Sequence, residues 1–115
     1  MQKQFRLKRR SAFNYVYKKG EKSSARNLVL LYTKSRNGIK IGISVSKKVG
    51  GAVVRNRVKR LIREGVNKIF PEIQKGYTYV IVAKSTAAEG DFYTITEDVK
   101  DIFAKAGKYV EKTVL

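Results

Sequence analysis

The chain of 115 residues contains no cysteine and no histidine, and it has one proline. The lack of cysteine excludes disulfides, a thiolate nucleophile and Cys-based zinc sites. The lack of histidine removes the commonest general base and metal ligand. No run approaches the roughly 18 apolar residues of a membrane span, and no apolar stretch follows the basic N-terminus as it would in a signal peptide. These absences predict an intracellular protein outside the membrane, without a metal site built from a side-chain motif.

Hydrophobic residues make up 43% of the chain, which is enough for a core and too much for a disordered basic tail. The length fits one domain. We therefore expect a single domain over residues 1–115, with a basic arm at 1–10 and a frayed tail at 110–115. The formal charge of +17 predicts an anionic partner, and nucleic acid is the default.

The positive charge is concentrated in one half of the sequence. Residues 1–63 hold 19 Lys and Arg and one acidic residue, Glu21, whereas residues 64–115 hold 7 Lys and 8 acidic residues. Every arginine lies in the first group, and its planar guanidinium binds phosphate with two hydrogen bonds. This distribution predicts an interface in the first half and ordinary scaffold in the second.

Hydrophobic periodicity predicts six elements, namely helices at 11–19, 53–70 and 92–105 and strands at 28–34, 40–46 and 77–83. The Asn-Gly turn within 35–38 favours a β-hairpin between the first two strands. Thr94 and Glu97 fit a capping box for the last helix. The order α-β-β-α-β-α predicts an α/β sandwich of a small mixed sheet and helices.

The helix at 53–70 has one apolar face and two basic faces when its residues are placed about 100° apart. A stripe at i, i+4 and i+8 borders the apolar face and consists of Arg55, Lys59 and Arg63. The far side carries Asn56, Arg57, Arg60 and Glu64. A solvated charged face is the ordinary alternative, but such faces pair Glu with Lys at i, i+4. Here five cations precede the first acid, which favours nucleic-acid binding by this helix.

Two aromatic residues of the first helix, Phe13 and Tyr17, lie one turn apart among basic neighbours. Residues at this spacing are commonly core residues. They also fit a stacking platform for single-stranded nucleic acid, which aromatic faces and cations hold together. Tyr32 either joins them across a groove or packs in the sheet.

The stretch GISVSKKVGGAVVRNRVKRLIRE, residues 42–64, closely resembles the bacterial ribonuclease P protein component. The triplet Arg55-Asn56-Arg57 with the segment 58–63 is the signature of that family. The similarity extends from about residue 5 to residue 110 and includes the first helix and third strand. The resemblance implies an α+β fold of the ribosomal protein S5 domain 2-like type, whose βαβ crossover through 53–70 is left-handed.

The resemblance also implies a function. The family's polypeptide is the small subunit of a cytoplasmic bacterial ribonucleoprotein in which a catalytic RNA, with bound Mg²⁺, removes the 5′ leader of precursor tRNA. The protein binds the leader and the catalytic RNA and broadens substrate specificity. Catalysis then belongs to the RNA, so no catalytic residue is expected in the polypeptide.

Carried over by position, the contacts to the catalytic RNA fall on Arg55, Asn56, Arg57 and Arg60. The leader cleft falls on Phe13, Tyr17, Lys47 and Lys48. We further expect Lys59 and Arg63, whose stripe borders the sheet, to share this cleft, which makes six predicted cleft residues. Two further tyrosines, Tyr32 and Tyr109, are possible cleft residues. The position of the relatives' strand aromatic is Leu31 by ungapped counting, so either Leu31 or Tyr32 faces the cleft.

Composition leaves other functions open. A ribosomal-type structural RNA-binding protein would share the basic charge, as would an architectural DNA-binding protein. A protein-only nuclease is a third alternative, although the basic half lacks clustered carboxylates. Dependence of cleavage on an added non-ribosomal RNA would refute the ribosomal alternative. An architectural DNA-binding protein would bind duplex DNA at least as well as structured RNA, and a protein-only nuclease would cleave with Mg²⁺ in the absence of RNA subunits.

Overall fold

The computed structural model describes residues 2–36 and 38–110. Within these ranges seven main elements follow one another, namely α1 (Arg10–Lys19), β1 (Glu21–Ser24), β2 (Leu28–Lys34), β3 (Lys40–Ser44), α2 (Ala52–Ile69), β4 (Tyr77–Ala83) and α3 (Phe92–Lys105). Short 3-10 helices lie at Lys3–Phe5, Phe70–Glu72 and Ser85–Glu89. The predicted bounds of β2, β4 and α3 are confirmed, and those of the other three predicted elements differ by one or two residues.

The four strands form one mixed sheet in the order β1-β2-β4-β3. β2 is antiparallel to both β1 and β4, whereas β3 and β4 are parallel. The predicted hairpin between residues 28–34 and 40–46 is therefore wrong, because β4 lies between these two strands. The parallel pair is joined through α2, as the predicted βαβ unit requires. The mixed α+β fold class is confirmed, and the handedness of the crossover stays a prediction.

β1 was absent from the sequence-based prediction. Its sequence, EKSS, has no apolar residue and thus no hydrophobic alternation. The strand is held by its pairing with β2 and by Ser23, whose hydroxyl donates to the Ile102 carbonyl at 3.0 Å. Backbone pairing, which leaves little trace in composition, accounts for this strand.

The two faces of the sheet carry different helices. The first face, on which Leu30, Tyr79 and Ile81 lie, packs against α2 and α3 and forms the main core. Residues at the alternate positions, among them Leu31, Gly42 and Val80, point to the second face. α1 crosses this second face over β2 and β4, and its residue Val16 is buried.

The N-terminal arm, residues 2–9, packs along β3, the edge strand of the sheet. The Leu7 amide donates to the Ile41 carbonyl at 3.0 Å, and Arg6 forms a parallel bridge with Ile41. Phe5 packs on Phe70 with ring centroids 4.9 Å apart. The arm thereby covers an edge that would otherwise expose unpaired backbone groups.

The predicted bounds of α3 hold, but its N-terminal capping box lies one turn earlier than predicted. Asp91 is the N-cap, its carboxylate accepts from the Thr94 amide at 2.8 Å, and the Thr94 hydroxyl accepts from the Asp91 amide. The predicted box of Thr94 with Glu97 is therefore wrong. After α3 the chain returns to residues 72–74, where Val110 donates to the Glu72 carbonyl. The rest of the predicted frayed tail, residues 111–115, lies outside the described residues.

Candidate nucleic-acid interface

The side chains that face outward from α1 line a cleft on the second face of the sheet. A cavity of about 400 Å³ lies there, lined by Lys8, Arg10, Phe13, Asn14, Tyr17 and Ser44. Four of these residues occupy i, i+3, i+4 and i+7 of α1 and so share one face of the helix. We call this cavity the α1 cleft. It combines two aromatic rings with two cations, the composition of single-strand sites.

The geometry of the cleft depends on the contact between Phe13 and Gly42. A Cβ atom built on Gly42 would lie 2.5 Å from Cζ of Phe13, so only glycine lets the ring lie against β3. Phe13 is half-buried by this packing, whereas Tyr17 is 43% exposed. Phe13 is therefore fixed by the sheet, whereas Tyr17 remains accessible to solvent.

Arg63 is the residue of α2 that reaches this region. It lines a smaller cavity of about 90 Å³ together with the arm, β3 and Phe13. Lys59 lies one turn earlier on α2 and is half-buried, while Lys47 and Lys48 are exposed in the connection after β3. None of these three lysines lines the two cavities. Of the six predicted cleft residues, the structure brings together Phe13, Tyr17 and Arg63.

The two possible cleft tyrosines lie away from the α1 cleft. Tyr32 is buried on the first face, where its ring is 6.4 Å from that of Tyr79. Tyr109 packs against the main core, with Lys100 Nζ 5.6 Å from its ring centroid. Leu31 points to the second face with Val80, its partner on β4. The strand position open to the cleft side therefore carries leucine in this chain.

The outer face of α2 is formed by Asn56, Arg57 and Arg60, and its positive charge is not paired with carboxylates of the described residues. Asn56 and Arg60 are exposed, and Arg55 is half-buried with its Nε buried and without a partner in the described part of the chain. Arg57 donates from its two terminal nitrogens to the carbonyls of Gly90, at 2.8 Å, and Ala88. Within residues 2–36 and 38–110, no carboxylate lies within 4.0 Å of these arginines.

Sequence reasoning included Lys8 and Arg10 only as basic neighbours of the two aromatic residues, and it missed Asn14 and Ser44 as cleft residues. For the helix residues a signal existed, because positions 10, 13, 14 and 17 have the spacing of one helix face. For Ser44 the signal was strand alternation, which places it on the same face as Gly42. Lys8 could not be found in this way, because the path of the arm follows from its packing on β3.

The two clear pKa shifts belong to structural groups. Burial raises the pKa of Tyr79 above its ordinary value, and the neighbouring Tyr77 and Tyr32 add to this effect. The protonated hydroxyl of Tyr79 donates to the Gln74 carbonyl at 2.6 Å. Hydrogen bonds from Thr94 lower the pKa of Asp91, the N-cap of α3. Both groups lie outside the α1 cleft, so neither provides an acid or base there.

Comparison with known proteins identifies the family. A family model described as Ribonuclease P matches residues 1–107. The chain belongs to the ribonuclease P protein family. It is 40% identical over 109 residues to the ribonuclease P protein component of Clostridium kluyveri, covering 91% of this chain and 96% of that protein. The protein of the same name from Bacillus cereus is 36% identical, with 93% and 95% covered.

Solved ribonuclease P proteins share the fold. A Staphylococcus aureus RNase P protein mutant, described as defective in mRNA degradation activity, superposes with a TM-score of 0.86 at 29% identity over 93% of this chain and 92% of that one. The Thermotoga maritima protein gives a TM-score of 0.76 at 29% identity, covering 84% and 92%.

Membership of the ribonuclease P family settles the general function. The chain is a protein subunit of an endoribonuclease that acts in tRNA 5′ processing, and RNA is its partner. This finding decides against the ribosomal and DNA-binding alternatives. No helix in the described part of the chain is long and apolar enough to cross a membrane.

Proposed function

We propose that the α1 cleft binds the single-stranded 5′ leader of precursor tRNA. The observation that carries this proposal is the alignment of Phe13 and Tyr17 on one helix face, with Lys8, Arg10 and Arg63 around them. Unpaired bases stack on exposed rings, and cations follow the phosphates. A base-paired stem would not present its ring faces, so the cleft favours the leader over the tRNA body.

The outer face of α2 is proposed to hold the catalytic RNA. Arg60 and Asn56 are exposed and free to contact phosphate and sugar. Arg57 has five N–H donors, of which two are used by backbone carbonyls. Arg55 and Lys59, with Arg63, lie on the side between this face and the α1 cleft. Lys47 and Lys48 extend the positive surface at the N-terminal end of α2.

Mg²⁺ is proposed to be bound mainly by the catalytic RNA, and the holoenzyme to act in the cytoplasm. Among the described residues no group of three or more Asp, Glu, Cys or His converges on a point. The cleft side chains are cations, aromatics and neutral hydrogen-bonding groups, which do not fit a metal site. The phosphodiester chemistry is accordingly assigned to the RNA, and the polypeptide binds and orients.

The experiment is a reconstitution of the holoenzyme with a bacterial ribonuclease P RNA at low Mg²⁺. Tyr17→Ala is expected to weaken binding of precursor tRNA by about 5-fold or more, because base–aromatic stacking contributes that much. Binding of mature tRNA, which lacks the leader, is expected to stay unchanged. Both affinities are measured with the same preparations, and cleavage at the mature 5′ end is followed in parallel.

Tyr15→Ala is the matched control, since Tyr15 is 57% exposed on α1 but does not line the cleft. It is expected to bind both tRNAs like the wild type. Equal losses for precursor and mature tRNA with Tyr17→Ala would contradict the assignment of the cleft to the leader.

A further inference from the structure

A line of cavities continues from the α1 cleft around the β3 edge. Phe13 is shared by the cleft and the small cavity at Arg63, and Leu7 is shared by that cavity and the next one along the arm. Gln4 and Lys40 connect this third cavity to a fourth. The surface on which a strand could lie therefore extends well beyond the two aromatic residues of α1.

The third cavity, which we call the basic groove, has a volume of about 520 Å³. Its lining includes five cations and no acidic side chain, namely Lys3, Arg6, Lys8, Arg9 and Lys40. Cations in this density on a concave surface attract a phosphate backbone. The groove has no aromatic residue, so it fits phosphates and not bases.

The fourth cavity has the opposite character. It has a volume of about 270 Å³ and is lined by Phe5, Phe70 and Ile39, with polar and basic residues around them, Gln4, Gly38, Lys40 and Lys75. The two rings are half-buried, so each keeps part of its surface open. The volume is just below the range of drug-sized ligand pockets, which suits a single flat ring. We call this cavity the Phe5/Phe70 pocket.

Both cavities are preformed by the packing of the arm. The arm is fixed by the hydrogen bond from Leu7 to Ile41 and by one from Lys40 Nζ to the Gln4 carbonyl. Phe5 and Phe70 also pack against the main core. A ligand would therefore bind without first ordering this segment, which reduces the entropic cost of binding.

We propose that single-stranded RNA continues from the α1 cleft along the basic groove and places an unpaired base in the Phe5/Phe70 pocket. The alternation of a cationic groove and an aromatic pocket matches the alternation of phosphate and base in one nucleotide. This inference rests on the proposed leader-binding function, because the track begins at the α1 cleft. The base then belongs to a distal part of the leader, and an unpaired base of the catalytic RNA, which presents the same chemistry, is distinguished by the test.

The test uses the reconstituted holoenzyme and precursors whose leaders are lengthened one nucleotide at a time. With the wild type, affinity is expected to rise again when the leader becomes long enough to reach the Phe5/Phe70 pocket. Phe5→Ala is expected to remove this second rise, a loss of about 5-fold for the longest leaders, and to leave short leaders unaffected. An abasic nucleotide at the responsible leader position should cause the same loss in the wild type.

Three further variants make the result specific. Phe5→Tyr keeps a ring and is expected to restore the second rise. Lys75→Glu changes an exposed residue at the pocket, so it tests the site without disturbing the packing of Phe5. It is expected to weaken the binding of precursors with long leaders and to leave those with short leaders unchanged. Tyr93→Ala is the control, because Tyr93 is 72% exposed and lies on α3, outside the track.

The affinity of each variant for the catalytic RNA alone distinguishes the two sources of the base. If Phe5→Ala weakens assembly with that RNA and leaves the leader series unchanged, the pocket holds a base of the catalytic RNA and the proposed continuation of the leader is overturned. If neither affinity changes with Phe5→Ala and Lys75→Glu, the pocket holds no nucleotide and the proposal is overturned. If the assignment of the α1 cleft to the leader is itself wrong, the result is different, because Tyr17→Ala would then leave the affinity unchanged for precursors of every leader length.

Discussion

The contact between Gly42 and Phe13 shows how one side chain determines the shape of a binding surface. Gly42 has no Cβ, and the ring of Phe13 fills the space where one would be. Phe13 therefore packs closely against β3, and its ring lines the cavity together with Tyr17. The glycine is required by close approach and not by its backbone angles, since its φ is not positive.

Gly42→Ala is expected to displace Phe13 and narrow the α1 cleft. The added methyl group would lie 2.5–2.6 Å from two ring carbons, so the ring must rotate away, at a cost of about 1–3 kcal/mol of stability. Precursor tRNA should bind more weakly to the holoenzyme, and mature tRNA should bind as before. Gly51→Ala is the control, because a Cβ there meets no atom within 4 Å. Unchanged precursor affinity would mean that the position of Phe13 does not matter to binding.

Leu31 and Tyr32 show which part of a side chain's orientation in a strand can be predicted from the sequence. Strand alternation predicts that the two side chains point to opposite faces, and this holds. It does not say which face carries α1, because both faces of β2 bear apolar residues. The packing of α1 on β2 and β4 decides this, and it leaves Tyr32 in the main core.

At the scale of elements, α2 carries within one turn an arginine bound to the protein's own backbone, Arg57, and an arginine proposed to contact RNA, Arg60. Arg57 connects α2 to the segment before α3 through the carbonyls of Ala88 and Gly90. Arg60 has no hydrogen bond to the described part of the protein and is exposed. The two residues have the same chemistry, so their environments should separate their effects.

Arg57→Ala is expected to lower the free energy of unfolding by about 1–3 kcal/mol, because two charge-assisted hydrogen bonds are lost. Arg60→Ala should leave the unfolding temperature within about 2 °C of the wild type, since an exposed side chain without partners contributes little to stability. It should instead reduce the salt dependence of binding to the catalytic RNA by about 0.7–0.9 in log–log slope. Thermal unfolding and a salt titration measure the two effects. Equal stability of both variants would show that the Arg57 bonds do not hold the segment 88–90.

The elements themselves were largely predictable, whereas their neighbours in the sheet were not. Periodicity found β2, β3, β4 and all three helices, because each has an apolar pattern. It placed β2 beside β3, since an Asn-Gly turn joins them. The observed order has a signal in β4, YTYVIVA, which is apolar on both sides as central strands are. Pairing with β3 in parallel then follows from the crossover through α2.

The residues of the candidate site also fall into a predictable group and an unpredictable group. Residues grouped by one helix face, such as Phe13 with Tyr17, were found because local spacing determines them. Residues that meet only through tertiary packing were not, and the arm is the main example. Its basic sequence predicted a charged arm, but its place on the β3 edge depends on a bridge to Ile41. The basic groove and the Phe5/Phe70 pocket exist because of that bridge.

At the scale of the whole molecule, the net charge is +17, and much of the positive charge lies on the surfaces that we propose to bind RNA. The arm, α1 and α2 hold half of the cations, and most of the acidic residues lie in or next to α3. This segregation favours one orientation on RNA, since α3 is repelled where α2 is attracted. It also leaves like charges close together when no anion is present, which opposes folding.

Multivalent anions are therefore expected to stabilise the isolated protein more than chloride does. Pyrophosphate at millimolar concentration should raise the unfolding temperature, compared with sodium chloride at equal ionic strength, because it binds the folded basic surfaces preferentially. At 100 times its dissociation constant the gain is about 2.7 kcal/mol, on the order of 10 °C for a domain of this size. The gain in stability should grow with the logarithm of the pyrophosphate concentration, whereas stabilisation by an anion that is excluded from the protein surface needs far higher concentrations.

A triple variant, Lys3→Gln with Lys8→Gln and Arg9→Gln, should gain less stability from pyrophosphate, since it removes three cations of the basic groove. Equal unfolding temperatures in the two salts would show that charge repulsion does not limit the stability of this fold.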